Sequence, residues 1–205
     1  MEQKILPVQN GTYQKAAQVL GRAFQDDPVP IAIFQGLPEI ERVKRLTVGF
    51  TAEMNICVKQ GIPLVVKDVD TIVAAAAIYP PGNYPISTID QIAMLAKTIW
   101  GDGFYGLGRW LKWLSDMEIM HPKWPHYYLE FLGVEPEFQG KGLGSALLKF
   151  LTEKADSEHM GCYLENSNPR NNPLYQRFGF EIVDTKNVIG VRNWFMWRPP
   201  NRNTT

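Results

Sequence analysis

Leu129-Glu-Phe-Leu-Gly-Val-Glu-Pro-Glu-Phe-Gln-Gly-Lys-Gly-Leu-Gly-Ser145 decides the reading of this chain. An apolar run that suits a buried strand passes through Pro136 into a glycine-rich loop, and the apolar spacing that follows is that of a helix. Gly140, Gly142 and Gly144 carry no Cβ, so successive backbone N–H groups can close around an anion while the helix start adds a favourable dipole. A pyrophosphate suits such a cradle. The phosphate loop of nucleotide hydrolases requires Lys and then Ser or Thr after its last glycine, whereas Gly144 is followed by Ser145 and Ala146. A dinucleotide fingerprint requires Gly-x-Gly-x-x-Gly, which the spacing 140, 142, 144 does not provide, and Glu165 is the one acid placed to end a following strand.

Around this segment the pattern alternates strands and helices. The spacing predicts a strand over 4–9, a helix capped by Thr12, and a loop at Gln25–Pro30 broken by two prolines. A long helix from Glu39 to about Gln60 ends at Gly61, and 63–67 and 71–79 form a hairpin turning near Asp68–Asp70. Residues 80–125 are less regular: a helix fits Ile89–Thr98, glycines and aromatics fill Trp100–Gly108, and a helix fits Leu107–Met117. Trp100, Trp110, Trp113 and Trp124 suit either the core or the lining of a substrate cavity. The last third reads as strand His126–Val134, helix Gly142–Ser157, strand Gly161–Glu165, short helix Pro173–Phe178, and strands Phe180–Asp184 and Asn193–Arg198. Together these predict an α/β fold with a mixed central sheet flanked by helices, residues 1–205 forming one domain.

Composition narrows the function. Hydrophobic residues make up 45% and charged residues 20%, ordinary for a globular chain, and 21 basic residues balance 21 acidic ones, which leaves no net field to attract nucleic acid. The N-terminal stretch carries no signal-peptide core, and no apolar run approaches the ~20 residues that span a bilayer, so a cytoplasmic location without membrane attachment is expected. Cys57 and Cys162 lack metal or redox spacing and read as buried thiols. His121, His126 and His159 share no ligand spacing, and nothing clusters acids with them into a ligand set, so no metal is expected.

Gln139-Gly140-Lys141-Gly142-Leu143-Gly144 resembles motif A of the GNAT superfamily of N-acetyltransferases at every fixed position: Gln or Arg, two residues, Gly, one residue, then Gly or Ala. Leu132-Gly133-Val134-Glu135-Pro136 agrees as the strand end, and Asn168 through Tyr175-Gln-Arg-Phe-Gly-Phe180 is similar to the family's second cofactor segment. Tyr128-Leu129, Leu164-Glu165, Pro169-Arg170-Asn171 and Pro173 extend the likeness toward the puromycin N-acetyltransferase-like branch, with weaker similarity at Ala23-Phe24 and His121-Pro122.

The resemblance implies a GNAT fold, acetyl-CoA as the donor, and direct transfer of acetyl to a primary amine. It implies cofactor contacts from Leu132, Gly133, Val134, Gln139, Gly140, Lys141, Gly142, Leu143, Gly144, Ser145, Asn168, Asn171 and Tyr175. Leu132 would offer its backbone N–H to the acyl oxygen, and Tyr175 would protonate the departing thiolate, for which a phenol of pKa ~10 is suited. Asn168 and Asn171 equally suit turn formation. For the general base, strand alternation places Glu130 on the face of Leu132, with Glu165 and Asp26–Asp27 as competitors and a solvated or ion-paired carboxylate as the plainer role of each. A small-molecule amine is the expected acceptor and a monomer or homodimer the expected assembly; protein or peptide acetylation and a non-catalytic acyl-CoA-binding sensor are the alternatives.

Overall fold

Seven strands form one sheet in the order β1-β2-β3-β4-β5-β7-β6, antiparallel throughout except for the central β4–β5 pair, which is parallel. The computed structural model describes residues 4–9, 11–86, 89, 90, 92, 96 and 106–201. The strands are β1 (Lys4–Pro7), β2 (Ile62–Asp68), β3 (Thr71–Tyr79), β4 (Tyr127–Val134), β5 (Cys162–Asn166), β6 (Glu181–Val188) and β7 (Val191–Arg198). The helices are α1 (Tyr13–Ala23), α2 (Pro28–Ile33), α3 (Glu39–Gln60), α4 (Leu107–Met120), α5 (Leu143–Ser157) and α6 (Asn172–Arg177). The mixed α/β architecture expected from the sequence is therefore the observed one. The helix expected over Ile89–Thr98 lies outside the described residues apart from Ile89, Asp90, Ile92 and Ala96, which are helical; Trp100 also lies outside them.

The two faces of the sheet carry separate cores. On one, α1 and α3 bury Ala16, Ala17, Leu20, Phe50 and Met54 against Ala75, Ala77, Tyr79 and Tyr128. On the other, Leu147, Leu148 and Leu151 of α5 pack on Ala74, Ala76, Tyr127, Leu129 and Leu164. The run Ala74–Ala77 is fully buried and small on both faces, as expected of a central strand covered on each side. Two bidentate ion pairs fix the elements that flank the site. Arg22 on α1 holds Glu135, just past β4, at 2.7 and 2.8 Å, and Arg198 at the end of β7 holds Asp156 on α5 at 2.8 Å through both nitrogens.

Local departures from the expected elements have physical causes. Gln25–Pro30 is not simply a loop: Pro28 and Pro30 lie in the first turn of α2, where the missing N–H of proline leaves no intrahelical bond unmade. Thr12 does not cap α1 through its side chain; its hydroxyl donates to the Gln9 carbonyl at 2.9 Å. β6 runs to Val188 and turns into β7 through Ile189 and Gly190, both with positive φ (51° and 82°). A β-branched residue in the left-handed region lacks the Asn-Gly or Asp-Gly signature of such hairpins, so the turn is not legible in sequence.

Gly133 of β4 lies directly beneath α1. A Cβ there would stand 2.8 Å from Leu20 Cδ2 and 2.9 Å from Ala23 Cβ. Gly133→Ala is expected to destabilise the protein by about 1–3 kcal/mol, because α1 or β4 must shift to relieve the overlap. Denaturant unfolding checks this; a Gly133→Ala protein as stable as wild type would contradict the close approach of α1 to β4.

Candidate active site

The site begins where β4 and β5 part. Their parallel ladder covers Tyr127–Cys162, Tyr128–Tyr163 and Leu129–Leu164, yet β4 continues to Val134 paired with β3 and β5 to Asn166 paired with β7. Each strand stays with its antiparallel partner, and a wedge opens between them. Beyond β4 the N–H of Glu135 donates to the Val73 carbonyl at 2.9 Å, which sets the parity of the strand end. Backbone groups of successive residues face opposite edges, so Leu132 and Val134 direct their N–H groups into the wedge. The Val134 carbonyl confirms this orientation, since it accepts from Gln139 Nε2 at 3.2 Å, away from β3.

The glycine loop and α5 close the wedge from below. Gly140 and Gly142 have φ of 74° and 84°, and a Cβ at either would meet no atom within 4 Å, so the loop is bordered by open space on the side where an anion would lie. Gly142 caps α5, leaving the first-turn N–H groups of Leu143, Gly144 and Ser145 without intrahelical acceptors. Gly144 serves packing: its absent Cβ would stand 3.4 Å from Leu132, 3.7 Å from Leu174 and 3.8 Å from Val134. These groups fit the pyrophosphate and pantetheine of acetyl-CoA, because the cradle needs backbone donors beside empty volume and has both.

A cavity of about 800 Å³ joins this wedge to a second chamber under α2, α3 and α4. Leu132, Gly133, Val134, Gln139, Gly140, Gly142, Leu143, Gly144, Ser145, Asn168, Asn171 and Tyr175 all line it, so the structure brings together all but one of the cofactor residues expected from the sequence. Lys141 is the exception, its ammonium lying 4.4 Å from the centre of the Phe138 ring. Asn168 is committed to the loop, its Oδ1 accepting from Arg170 N at 3.2 Å and its Nδ2 donating to Asp27 Oδ1 at 2.9 Å. Tyr175 is buried against Phe180, and burial first, then the Asp27 charge, raise its phenol above the usual 10. It therefore keeps its proton at neutral pH.

The second chamber combines aromatic walls with buried acids. Phe24, Phe50 and Phe131 meet around it edge-on or tilted at centroid distances of 5.0–6.3 Å, and Trp110 and Trp113 stack at 5.6 Å on the side of α4. Trp124 does not contribute; it is 58% exposed and packs edge-on to Trp197. Glu130 lies here, and not on the face of Leu132 as alternation predicts. Phe131 pairs with Ala77 and Leu129 with Ile78, so Glu130 is the extra residue of a β-bulge, and the bulge reverses the alternation. Its Oε2 has no hydrogen-bond partner and no contact with solvent. Burial, Glu53 and Glu165 hold its carboxyl well above the ordinary 4.5, and burial likewise raises Glu53. Glu53 escapes the sequence reading although it has a signal: an acid on the apolar stripe of α3, three residues from Phe50 and four from Cys57.

The histidines also differ from expectation. His121 and His126 meet through their Nε2 atoms at 3.2 Å, His121 Nδ1 lies 3.5 Å from Glu165 Oε1, and Tyr128 donates to Glu165 Oε2 at 2.7 Å. An acid is therefore clustered with two of the three. They form a chain and not a metal cage, since His121 turns its two nitrogens to different neighbours. Sequence spacing carries no trace of this contact, which depends on the parallel register of β4 and β5.

This fold and site define an acetyltransferase class. Solved structures match the chain along its length: histone acetyltransferase HPA2 and related acetyltransferase from Corynebacterium glutamicum (TM-score 0.68, 22% identity, 100% of both chains) and Drosophila melanogaster polyamine N-acetyltransferase (0.67, 16%, 97% and 100%). Arylalkylamine N-acetyltransferase 2 from Aedes aegypti matches with TM-score 0.66 and 15% identity over 98% and 100% of the two chains. The Acetyltransferase (GNAT) family model matches residues 107–180. An uncharacterized N-acetyltransferase of Schizosaccharomyces pombe is 30% identical over 182 residues, 82% of this chain and 70% of that protein. The chain belongs to the GNAT acetyltransferase family.

The Glu53–Glu130 pair makes stability depend on pH. Both carboxyls hold protons to a higher pH folded than unfolded, so their stabilising contribution is full below the unfolded value of 4.5 and is lost as the pH rises through the folded values. Glu53→Gln is expected to reduce the fall in Tm between about pH 5 and about pH 9. Thermal unfolding across that range checks it, and an unchanged fall would contradict the buried pair.

Proposed function

We propose that this enzyme moves an acetyl group from acetyl-CoA to the primary amine of a small molecule, directly and without an acyl-enzyme, acting as a single domain of residues 1–205 in the cytoplasm. The observation that carries the reading is the wedge: two backbone N–H groups, of Leu132 and Val134, open into the same cavity as the glycine loop and the Tyr175 phenol. Enzymes of this family use acetyl-CoA as acyl donor, and the bound molecule supplies an acetyl group activated as a thioester.

The chain's own groups divide the work. We assign the Leu132 N–H to the acyl oxygen, where a fixed donor stabilises developing charge, and the Val134 N–H to the pantetheine arm. The amides of Gly140–Ser145 hold the pyrophosphate. Tyr175, kept protonated by burial, gives its proton to the departing sulfur. The aromatic chamber takes the body of the acceptor, and Glu53 and Glu130, whose carboxyls burial holds protonated in the empty chamber, can ionise beside an entering ammonium. The acidic and aromatic lining favours a cationic small molecule over a flat protein surface, and the solved polyamine and arylalkylamine acetyltransferases of the same fold carry names consistent with such acceptors. Tyr128-Leu129, Glu165 and Pro169–Asn171 support placement near the puromycin N-acetyltransferase-like branch.

Acetyl-CoA with a panel of small amines, followed by release of free thiol, tests the activity. With an amine that serves, Tyr175→Phe is expected to slow the chemical step by ~10²–10⁴-fold while acetyl-CoA affinity stays near wild type. A single-turnover rate equal to wild type would remove Tyr175 as the proton donor. Thiol release that does not depend on any added amine would remove the acetyl-transfer reading.

A further inference from the structure

We infer that Glu165, held by His121 and His126, accepts the proton that the acceptor amine loses, a role that rests on the acetyl-transfer reading above. The inference follows from one fixed acceptor. His126 Nδ1 lies 2.7 Å from the Trp124 carbonyl oxygen, which has no hydrogen to give, so Nδ1 carries the proton. Burial foremost lowers the pKa of His126, which keeps the ring neutral with its other nitrogen as an acceptor. His121 Nε2, 3.2 Å away, must therefore be the donor to His126 Nε2. A neutral His121 then has a lone pair on Nδ1, and that atom faces Glu165 Oε1 at 3.5 Å.

At the other end, Tyr128 donates its hydroxyl to Glu165 Oε2 at 2.7 Å. With His121 neutral and Glu165 ionised, two acceptors confront each other in the gap between His121 Nδ1 and Glu165 Oε1, while the Tyr163 hydroxyl also lies within reach of the Glu165 carboxylate. One proton added there turns a repulsive contact into a charge-assisted hydrogen bond. Glu165 lines the cavity and is the first residue of β5 beyond the last pair with β4, so the gap opens at the root of the wedge.

The step balances. An N–H bond of the bound ammonium breaks with its electron pair left on nitrogen, and an O–H bond forms at Glu165 or, across the gap, an N–H bond at His121 Nδ1. In the second form a His121 imidazolium stands between the Glu165 carboxylate and the accepting Nε2 of His126. Other groups around the chain are Tyr84 after β3, tilted against His121 at 4.6 Å, Tyr163 of β5, edge-on to it at 5.0 Å, Glu130 of β4, Glu118 of α4 near Tyr84, and Glu53 and Arg45 of α3 in the same cavity. Glu130 is less suited to the task, since burial, Glu53 and Glu165 hold its carboxyl well above the usual carboxylate range and it keeps its own proton. Within this hydrogen-bonded cluster Glu165 is the catalytic residue; His121 and His126 are positioning residues.

The test joins kinetics to spectroscopy. In the wild type, kcat for an amine that serves should rise with pH along an acidic limb and then level off. Glu165→Gln should lower the plateau by ~10²-fold or more and abolish that limb, leaving a rise only toward the amine's own ionisation. His121→Asn should move the limb and lower kcat less. Long-range ¹⁵N–¹H spectra of the free enzyme should show His126 protonated on Nδ1 and His121 on Nε2, a readout that needs no turnover. An acidic limb unchanged in an active Glu165→Gln enzyme, or His126 protonated on Nε2 alone, would overturn the assignment. A wild type inactive with every amine would count against the acetyl-transfer reading itself.

Discussion

β4 and β5 each keep an antiparallel partner beyond Leu129–Leu164 but no longer pair with one another. β4 follows β3 to Val134, held at its end by Glu135 N–H to Val73 and by the Arg22–Glu135 ion pair. β5 follows β7 to Asn166, whose side chain then ties down the next loop through Asn168 and Asn172. The wedge is the consequence, and a sheet interior that would normally satisfy its own backbone donors presents two of them to a cavity instead. The cost is offset elsewhere in the fold by full burial of Ala74–Ala77 and by the α5 layer. Catalytic donors of this kind need no reorganisation when charge develops.

The acids of the second chamber obey an opposing demand. Carboxyls as enclosed as Glu53 and Glu130 weaken the fold whenever both ionise, and a bulge in β4 is what points Glu130 toward Glu53. An ammonium entering between aromatic walls relieves that penalty, so the same burial that destabilises the empty chamber at high pH favours a cationic guest. Glu165 differs in its neighbours, with a tyrosine donor on one oxygen and His121 Nδ1 facing the other.

The glycine loop, α5, β4 and Tyr175 are legible in sequence because each depends on local chemistry: glycines where φ is positive, apolar runs of strand length, a tyrosine at fixed distance from Gly179. The side-chain direction of Glu130 is not, since a bulge leaves no mark in periodicity and inverts every face assignment on one side of it. The His121–His126–Glu165 chain is hidden for a different reason. His121 follows α4, His126 precedes β4 and Glu165 lies on β5, so their meeting depends on the packing of the whole sheet and their spacing along the chain means nothing by itself. Gly133 and Gly144 illustrate a third case, glycines that read as ligand contacts and whose missing Cβ atoms make room for Leu20, Ala23, Leu132 and Leu174.

Hydrogen exchange of individual backbone amides in β4 bears most directly on the central claim, that the parting of β4 and β5 leaves donors free for the acyl group and its carrier. In the free protein the amides of Leu132 and Val134 should exchange faster than those of Phe131 and Gly133, which face β3, and saturation with acetyl-CoA should slow Leu132 and Val134 selectively. Leu132 and Val134 as protected as their neighbours in the free protein, or unchanged when acetyl-CoA is bound, would contradict the account.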